Sequence, residues 1–172
     1  MLKKSLKQRK SELANTQRQM DILSNGIFQN NELPTFAIAL KNVKAYPLQP
    51  NPVEILQINL GYMCNQVCAH CHVDAGPDRK EIMSKATMQL CLDALKKSKV
   101  HTLDLTGGAP EMHPHFRWFV EEAHKMGVQD FIVRSNLTII LANKKFYDLP
   151  QFFKKHNIHV VSSMPHWTSD KT

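Results

Sequence analysis

Three of the four cysteines fall in the run Cys64-Asn-Gln-Val-Cys68-Ala-His-Cys71, a CxxxCxxC triplet. An electron-transfer cluster of four irons takes four thiolates and is thereby closed. Three thiolates leave one iron with an open coordination position that a substrate or cofactor can occupy, so this spacing points to chemistry at the metal. A structural zinc site is the rival reading. It wants four tetrahedral ligands, as a rule two close pairs with a longer gap between them. No second pair follows here, although His70 or His72 would complete a Cys3His set. A disulfide framework is weaker still, with four cysteines and no apolar secretory leader.

The elements that must position these thiols read as alternating strands and helices. Ile55-Leu-Gln-Ile-Asn-Leu60 is a strand that delivers the chain into the cysteine run. Ser84 caps a helix to about Lys97, with Thr87, Met88, Cys91, Ala94 and Leu95 on one face, which makes Cys91 a packing residue rather than a ligand. His101–Leu105 is strand two. A helix follows, with Pro114 in its first turn, a stripe of Phe116, Phe119, Val120 and Ala123, and an end near Gly127. Asp130–Arg134 is strand three, Leu149–His156 a third helix with Asp148 as its cap, and Ile158–Ser163 strand four. Strands alternating with helices imply parallel pairing through right-handed crossovers, hence an α/β fold.

In such folds ligands bind at the carboxyl ends of the strands. Four polar or glycine-rich segments arrive at that edge: the cysteine run, Thr106-Gly107-Gly108-Ala109-Pro110-Glu111, Ser135-Asn136-Leu137-Thr138, and Met164-Pro165-His166-Trp167. A double glycine there admits a ligand close to the backbone.

At 172 residues, 42% of them hydrophobic, the chain can bury one core. No apolar run reaches membrane-span length, and free cysteines point to a reducing, cytoplasmic setting. The net charge of +7 is concentrated: residues 1–20 hold six basic side chains against Glu12, which is +5 of the total. The basicity is therefore read as a solvated arm, not a nucleic-acid surface. Residues 1–47 form that basic polar arm and a proline-rich lead-in, and residues 48–172 the core domain.

The strings Gln57-Ile-Asn-Leu-Gly-Tyr-Met-Cys-Asn-Gln-Val-Cys68, His70-Cys-His-Val-Asp-Ala-Gly-Pro77, Leu105-Thr-Gly-Gly-Ala-Pro-Glu111 and Arg134-Ser-Asn-Leu-Thr138 resemble the radical S-adenosylmethionine (radical SAM) enzymes, and most closely the arsenosugar-biosynthesis radical SAM proteins. The likeness runs from about Leu48 to Trp167, with Ala109 where the superfamily's GGEP motif carries an acid. It implies a partial TIM-like barrel and a [4Fe–4S] cluster on Cys64, Cys68 and Cys71. S-adenosylmethionine would be chelated to the fourth iron and cleaved reductively to a 5′-deoxyadenosyl radical.

The resemblance assigns Gly107, Gly108, Ala109 and Pro110 to the methionine amino end of that cofactor. Asn136 goes to its ribose or carboxylate, and Glu111 to a ribose hydroxyl or a helix start. His72 and Asp74 would order the cluster loop, while His113, His115 and His124 carry no motif and read as surface histidines. The implied substrate is a methylated trivalent arsenical that receives the deoxyadenosyl group, and the implied electron donor a flavodoxin or ferredoxin.

Two departures stand out. Ser135 and His166 occupy positions where the family pattern often carries cysteines, the soft ligands that trivalent arsenic prefers. The chain also reads as four strands, fewer than the family's barrel. The core is thus expected to be truncated, with strand four an exposed edge that a complementary C-terminal chain would cover. A cluster-binding remnant without turnover and a zinc-binding structural module are the alternative functions.

Overall fold

Four parallel strands lie side by side in chain order: β1 (Ile55–Asn59), β2 (Thr102–Thr106), β3 (Asp130–Arg134) and β4 (Ile158–Val161). The computed structural model describes residues 4–25 and 36–163, so Met164-Pro165-His166-Trp167 lies outside the described residues. Parallel neighbours need a crossover. These are α3 (Lys85–Lys97) between β1 and β2, α4 (Phe116–Lys125) between β2 and β3, and α5 (Thr138–Ala142) with α6 (Leu149–Lys155) between β3 and β4. The expected α/β class is the observed one.

Register shows how the period-two alternation of a strand sorts the sheet's faces. Gln57 pairs with Asp104, Ile58 with Leu105, Leu105 with Val133, and Val133 with Val160. One face carries Leu103, Leu105, Phe131 and Val133, fully buried in a single cluster with Met88 and Leu92 of α3, Phe116 and Phe119 of α4, and Leu149 of α6. Burying each such side chain contributes about 1.5–3 kcal/mol, so this layer dominates the stability. The other face mixes Ile55, Ile132 and Val161 with Gln57, Asp104 and Arg134. Asp104, only 3% exposed, accepts hydrogen bonds there from Gln57 Nε2 at 2.7 Å and Arg134 Nη2 at 2.8 Å.

Local signals hold with small shifts. Ser84 caps α3, its hydroxyl accepting from the Thr87 amide at 3.1 Å. The buried stripe is Met88, Leu92 and Leu95 rather than one through Thr87 and Ala94, which are exposed. Cys91 flanks it, half-buried against the core. Asp148 precedes α6 but makes no capping bond; its carboxylate takes a two-pronged bond from Arg117.

Two helices lie in the stretch read as a polar arm and lead-in. These are α1 (Thr16–Asn25) and α2 (Phe36–Asn42), and Lys10–Pro52 forms one compact unit. Met1–Arg9 groups with Val53–Thr172 in the other. Within residues 4–9 the basic side chains are exposed, while Ser5 is buried.

Candidate metal centre

The chain leaves β1 into a loop that closes on itself. Leu60 N donates to Thr106 O at 2.9 Å, and Met83 N returns to Leu60 O at 2.9 Å. Between them Tyr62 N binds Glu81 O at 2.8 Å, Gly76 N binds Tyr62 O at 3.1 Å, and Cys64 N binds Gly76 O at 3.2 Å. This ladder holds Cys64 at 6% exposure, while Cys68 and Cys71 sit half-buried on the outer lobe. Backbone amides already face two sulfurs: Ala75 N lies 3.3 Å from Cys71 Sγ and Gln66 N 3.5 Å from Cys64 Sγ. Such N–H···S bonds are a means by which proteins tune iron–sulfur clusters.

All three cysteines line one cavity of about 240 Å³ at the carboxyl ends of the strands. Gly107, Gly108 and Asn136 border it too, as do Arg134 at the end of β3 and Val161 at the end of β4. Among the described residues no three His, Cys, Asp or Glu side chains gather where they could hold a metal ion. A single ion needs ligands converging on one point. Three thiolates of a four-iron cluster bind different irons, so lining a common cavity is the arrangement to ask of them. The cysteines are all free, and burial raises the Cys64 thiol's pKa, helped by the nearby Cys68, Cys71 and Glu111.

The double glycine has a structural task beside the expected one. Gly107 has φ +140°, and a Cβ on it would stand 2.5 Å from Gly61 O. A Cβ on Gly108 would press into the Met63 carbonyl, 2.8 Å from its carbon, and 3.0 Å from Cys64 Cβ. The Gly108 amide donates to Gly61 O at 2.8 Å and the Ala109 amide to Met63 O at 2.9 Å. The turn after β2 thus seats the cysteine loop, and these amides are spent on that contact. Ala109 and Pro110 are buried and line a separate small cavity with Leu60 and His113, not the cysteine cavity. Thr106, Gly107 and Gly108 reach the latter, and among the described residues the two glycine carbonyls have no hydrogen-bond donor.

Glu111 does not line the cysteine cavity either. It is 3% exposed; the Ser135 hydroxyl donates to its Oε1, and its Oε2 has no partner among the described residues. Desolvation pushes its pKa up, the Ser135 bond opposing. A raised folded-state pKa means the group's contribution to stability is complete below the unfolded value, about 4.5, and is lost as pH rises through the folded value. Glu111→Gln removes that ionisation. Urea melts of parent and variant should converge near pH 4.5 and separate in the variant's favour towards pH 8; an unchanged difference across that range would refute the assignment.

Asn136 turns inward as well. Its Oδ1 accepts from Thr138 N at 2.9 Å and Thr138 Oγ1 at 2.8 Å. Its Nδ2 donates to Asn65 Oδ1 at 3.1 Å and lies 3.4 Å from Cys64 Sγ. The side chain thus braces a cysteine while it borders the cavity. Asp74 ties the loop down through its carboxylate, whereas His72 is exposed at the cavity rim with no hydrogen bond among the described residues. Of the histidines read as surface, His113 is buried: Nε2 donates to Met83 O at 2.8 Å, and Nδ1 accepts from His115 N at 3.1 Å. His115 is half-buried and His124 exposed. The Gln57–Asp104–Arg134 network escaped the sequence reading, although polar residues inside otherwise apolar strands were its signal.

No protein-family model matches the chain. Curated relatives named probable GTP 3′,8-cyclase do. Those of Saccharolobus islandicus strains L.S.2.15 and M.14.25 are 28% identical over 85 residues, and that of Saccharolobus solfataricus 27% over 85 residues. The match covers 49% of this chain and 28% of each relative, so the chain spans well under half the length of the proteins it resembles. The similarity supports the radical SAM superfamily. Radical SAM homology in turn suggests an enzyme, and it does not single out the arsenosugar-biosynthesis proteins. No described helix is long and apolar enough to cross a membrane.

Proposed function

We propose that this chain carries the cluster- and S-adenosylmethionine-binding part of a radical SAM enzyme. The supporting observation is the single cavity onto which Cys64, Cys68, Cys71, Gly107 and Gly108 all open. In this reading the three thiolates hold a [4Fe–4S] cluster, and the carbonyls of Gly107 and Gly108 accept hydrogen bonds from the methionine amine. When bound, the cluster supplies the electron for reductive cleavage of S-adenosylmethionine, one electron at a time from a flavodoxin- or ferredoxin-type donor. The chain's own contribution is to orient: Asn136 and the Gln66 and Ala75 amides fix the sulfurs, and the buried Gly108 contact fixes the loop.

The acceptor in this reading is a methylated trivalent arsenical, supported by the motif strings around Cys64, Gly107 and Asn136. Ser135 lines the cavity but offers a hard hydroxyl oxygen, itself donating to Glu111, in place of a soft thiolate. A reducing, cytoplasmic setting suits four free thiols. A complementary chain that extends the sheet beyond β4 belongs to the same proposal.

Anaerobic reconstitution tests the core of it. Roughly four irons and four sulfides per chain are expected. Adding S-adenosylmethionine to the reduced protein should alter the cluster's electron paramagnetic resonance spectrum, while 5′-deoxyadenosine should form slowly or not at all until the complementary chain is supplied. A spectrum indifferent to S-adenosylmethionine would reduce the reading to a cluster-binding remnant, and bound zinc without iron would favour the structural module.

A further inference from the structure

Ser5 is 1% exposed, in a run whose neighbours Lys4, Lys7, Arg9 and Lys10 all face solvent. It opens a single turn: Arg9 N donates to Ser5 O at 3.0 Å, and Gln8 N to Ser5 Oγ at 3.2 Å. The next two amides, Leu6 N and Lys7 N, have no acceptor within that turn. Asp74 supplies it. Its Oδ1 accepts from Leu6 N at 2.6 Å and its Oδ2 from Lys7 N at 3.1 Å, across 68 and 67 residues of chain. Around this pair Ser5 Oγ donates to Asp78 Oδ2 at 2.7 Å, and the Lys7 ammonium pairs with Glu81. Buried Arg79 donates to both Asp74 O and Asp74 Oδ2 and pairs with Glu81.

Asp74 is three residues beyond Cys71 and holds φ +50°, a conformation that residues other than glycine seldom adopt. Its amide donates to Cys71 O at 3.2 Å, and the following amide, of Ala75, donates to Cys71 Sγ at 3.3 Å. Then comes Gly76, whose carbonyl accepts from Cys64 N at 3.2 Å. The turn that presents Cys71 therefore depends on a residue in an uncommon conformation, and that residue's carboxylate is gripped from outside the loop. Bonds from amides to an ionised carboxylate are among the stronger hydrogen bonds in proteins.

We propose that Ser5–Lys7 is a strap whose Leu6 and Lys7 amides, acting through Asp74, are positioning groups for Cys71. The strap accounts for a buried serine in a basic segment and for the grouping of residues 1–9 with the core. Its consequence for a bound cluster rests on the reading of Cys71 as a ligand. Its effect on the thiol does not, which lets the metal-free chain test it.

Leu6→Pro is the discriminating variant. Proline fits the first position of a helical turn and removes the Leu6 N–H together with the leucine side chain, whereas Leu6→Ala keeps that donor and trims only the side chain. The measurement is the alkylation rate of each cysteine in the metal-free full-length chain, read by peptide mass spectrometry alongside a thermal melt. Leu6→Pro and Asp74→Asn should raise the Cys71 rate roughly tenfold, the scale of one lost bond to a charged group. Leu6→Ala should stay within about twofold of the parent, and Cys91 should not change in any variant. Equal Cys71 rates in Leu6→Pro and Leu6→Ala would overturn the proposal. So would a uniform rise at all four cysteines with a lowered melt, which would make the strap a general stabiliser. Failure to bind iron while the Cys71 effect is present would count against the cluster reading and leave the strap standing.

Discussion

Cys68→Ala is expected to emerge from anaerobic reconstitution without a stable cluster, and Cys64→Ala and Cys71→Ala likewise. Cys91→Ala should hold as much iron as the parent. The contrast follows from position. Cys64, Cys68 and Cys71 open onto the 240 Å³ cavity, whereas Cys91 lies on α3 against the hydrophobic core. A cubane that loses one of three thiolates has no protein group to replace it. His70 and His72 border the cavity, but among the described residues neither has a hydrogen bond to fix its ring tautomer, the support that metal-binding histidines nearly always carry. Cys91→Ala removes one half-buried sulfur and should cost about 1 kcal/mol in a denaturant melt. Iron and sulfide per chain, measured beside that melt, decide the matter. Iron loss in Cys91→Ala equal to that in Cys68→Ala, with the melt unchanged, would reassign the ligands.

The fold was legible because its signals are local. Apolar runs such as Asp130–Arg134 mark the strands to within a residue or two, and Ser84 announces α3 through a bond to an amide three residues on. The short α5 was not visible. It starts from Leu137 at φ +63° and leans on the Asn136–Thr138 turn, a conformation that Ile139, Ile140 and Leu141 do not signal. In the site, residue types and spacing brought the cysteines and glycines to one edge. What each group does there depends on partners far along the chain: Met63 for Gly108, Ser135 for Glu111, Cys64 for Asn136 and Leu6 for Asp74. Asn136 and Glu111 both looked like cofactor contacts because polar residues at strand ends usually face a ligand. Both also brace the protein, Asn136 from the wall of the cavity and Glu111 from outside it.

That distinction gives Gly108→Val its expected outcome. If the glycine merely lets a cofactor approach the backbone, a valine blocks the cofactor and spares the cluster. The geometry puts the new side chain elsewhere. Its Cβ alone would sit 2.8 Å from the Met63 carbonyl carbon and 3.0 Å from Cys64 Cβ, with the Met63 oxygen nearer still. That oxygen cannot swing away without giving up the Ala109 amide at 2.9 Å, nor can Cys64 move without straining its bond to Gly76. The cysteine loop must lift from the β2 turn, and both cluster and stability should go with it. Overpacking of this kind costs about 3 kcal/mol. Gly127→Ala is the comparison, because its φ of +97° carries backbone strain but its Cβ would meet nothing within 4 Å. It should cost only about 1 kcal/mol and leave iron binding intact. Retention of the cluster in Gly108→Val, with loss only of the S-adenosylmethionine-induced spectral change, would show instead that the glycine faces the cofactor and that the loop can yield at Met63.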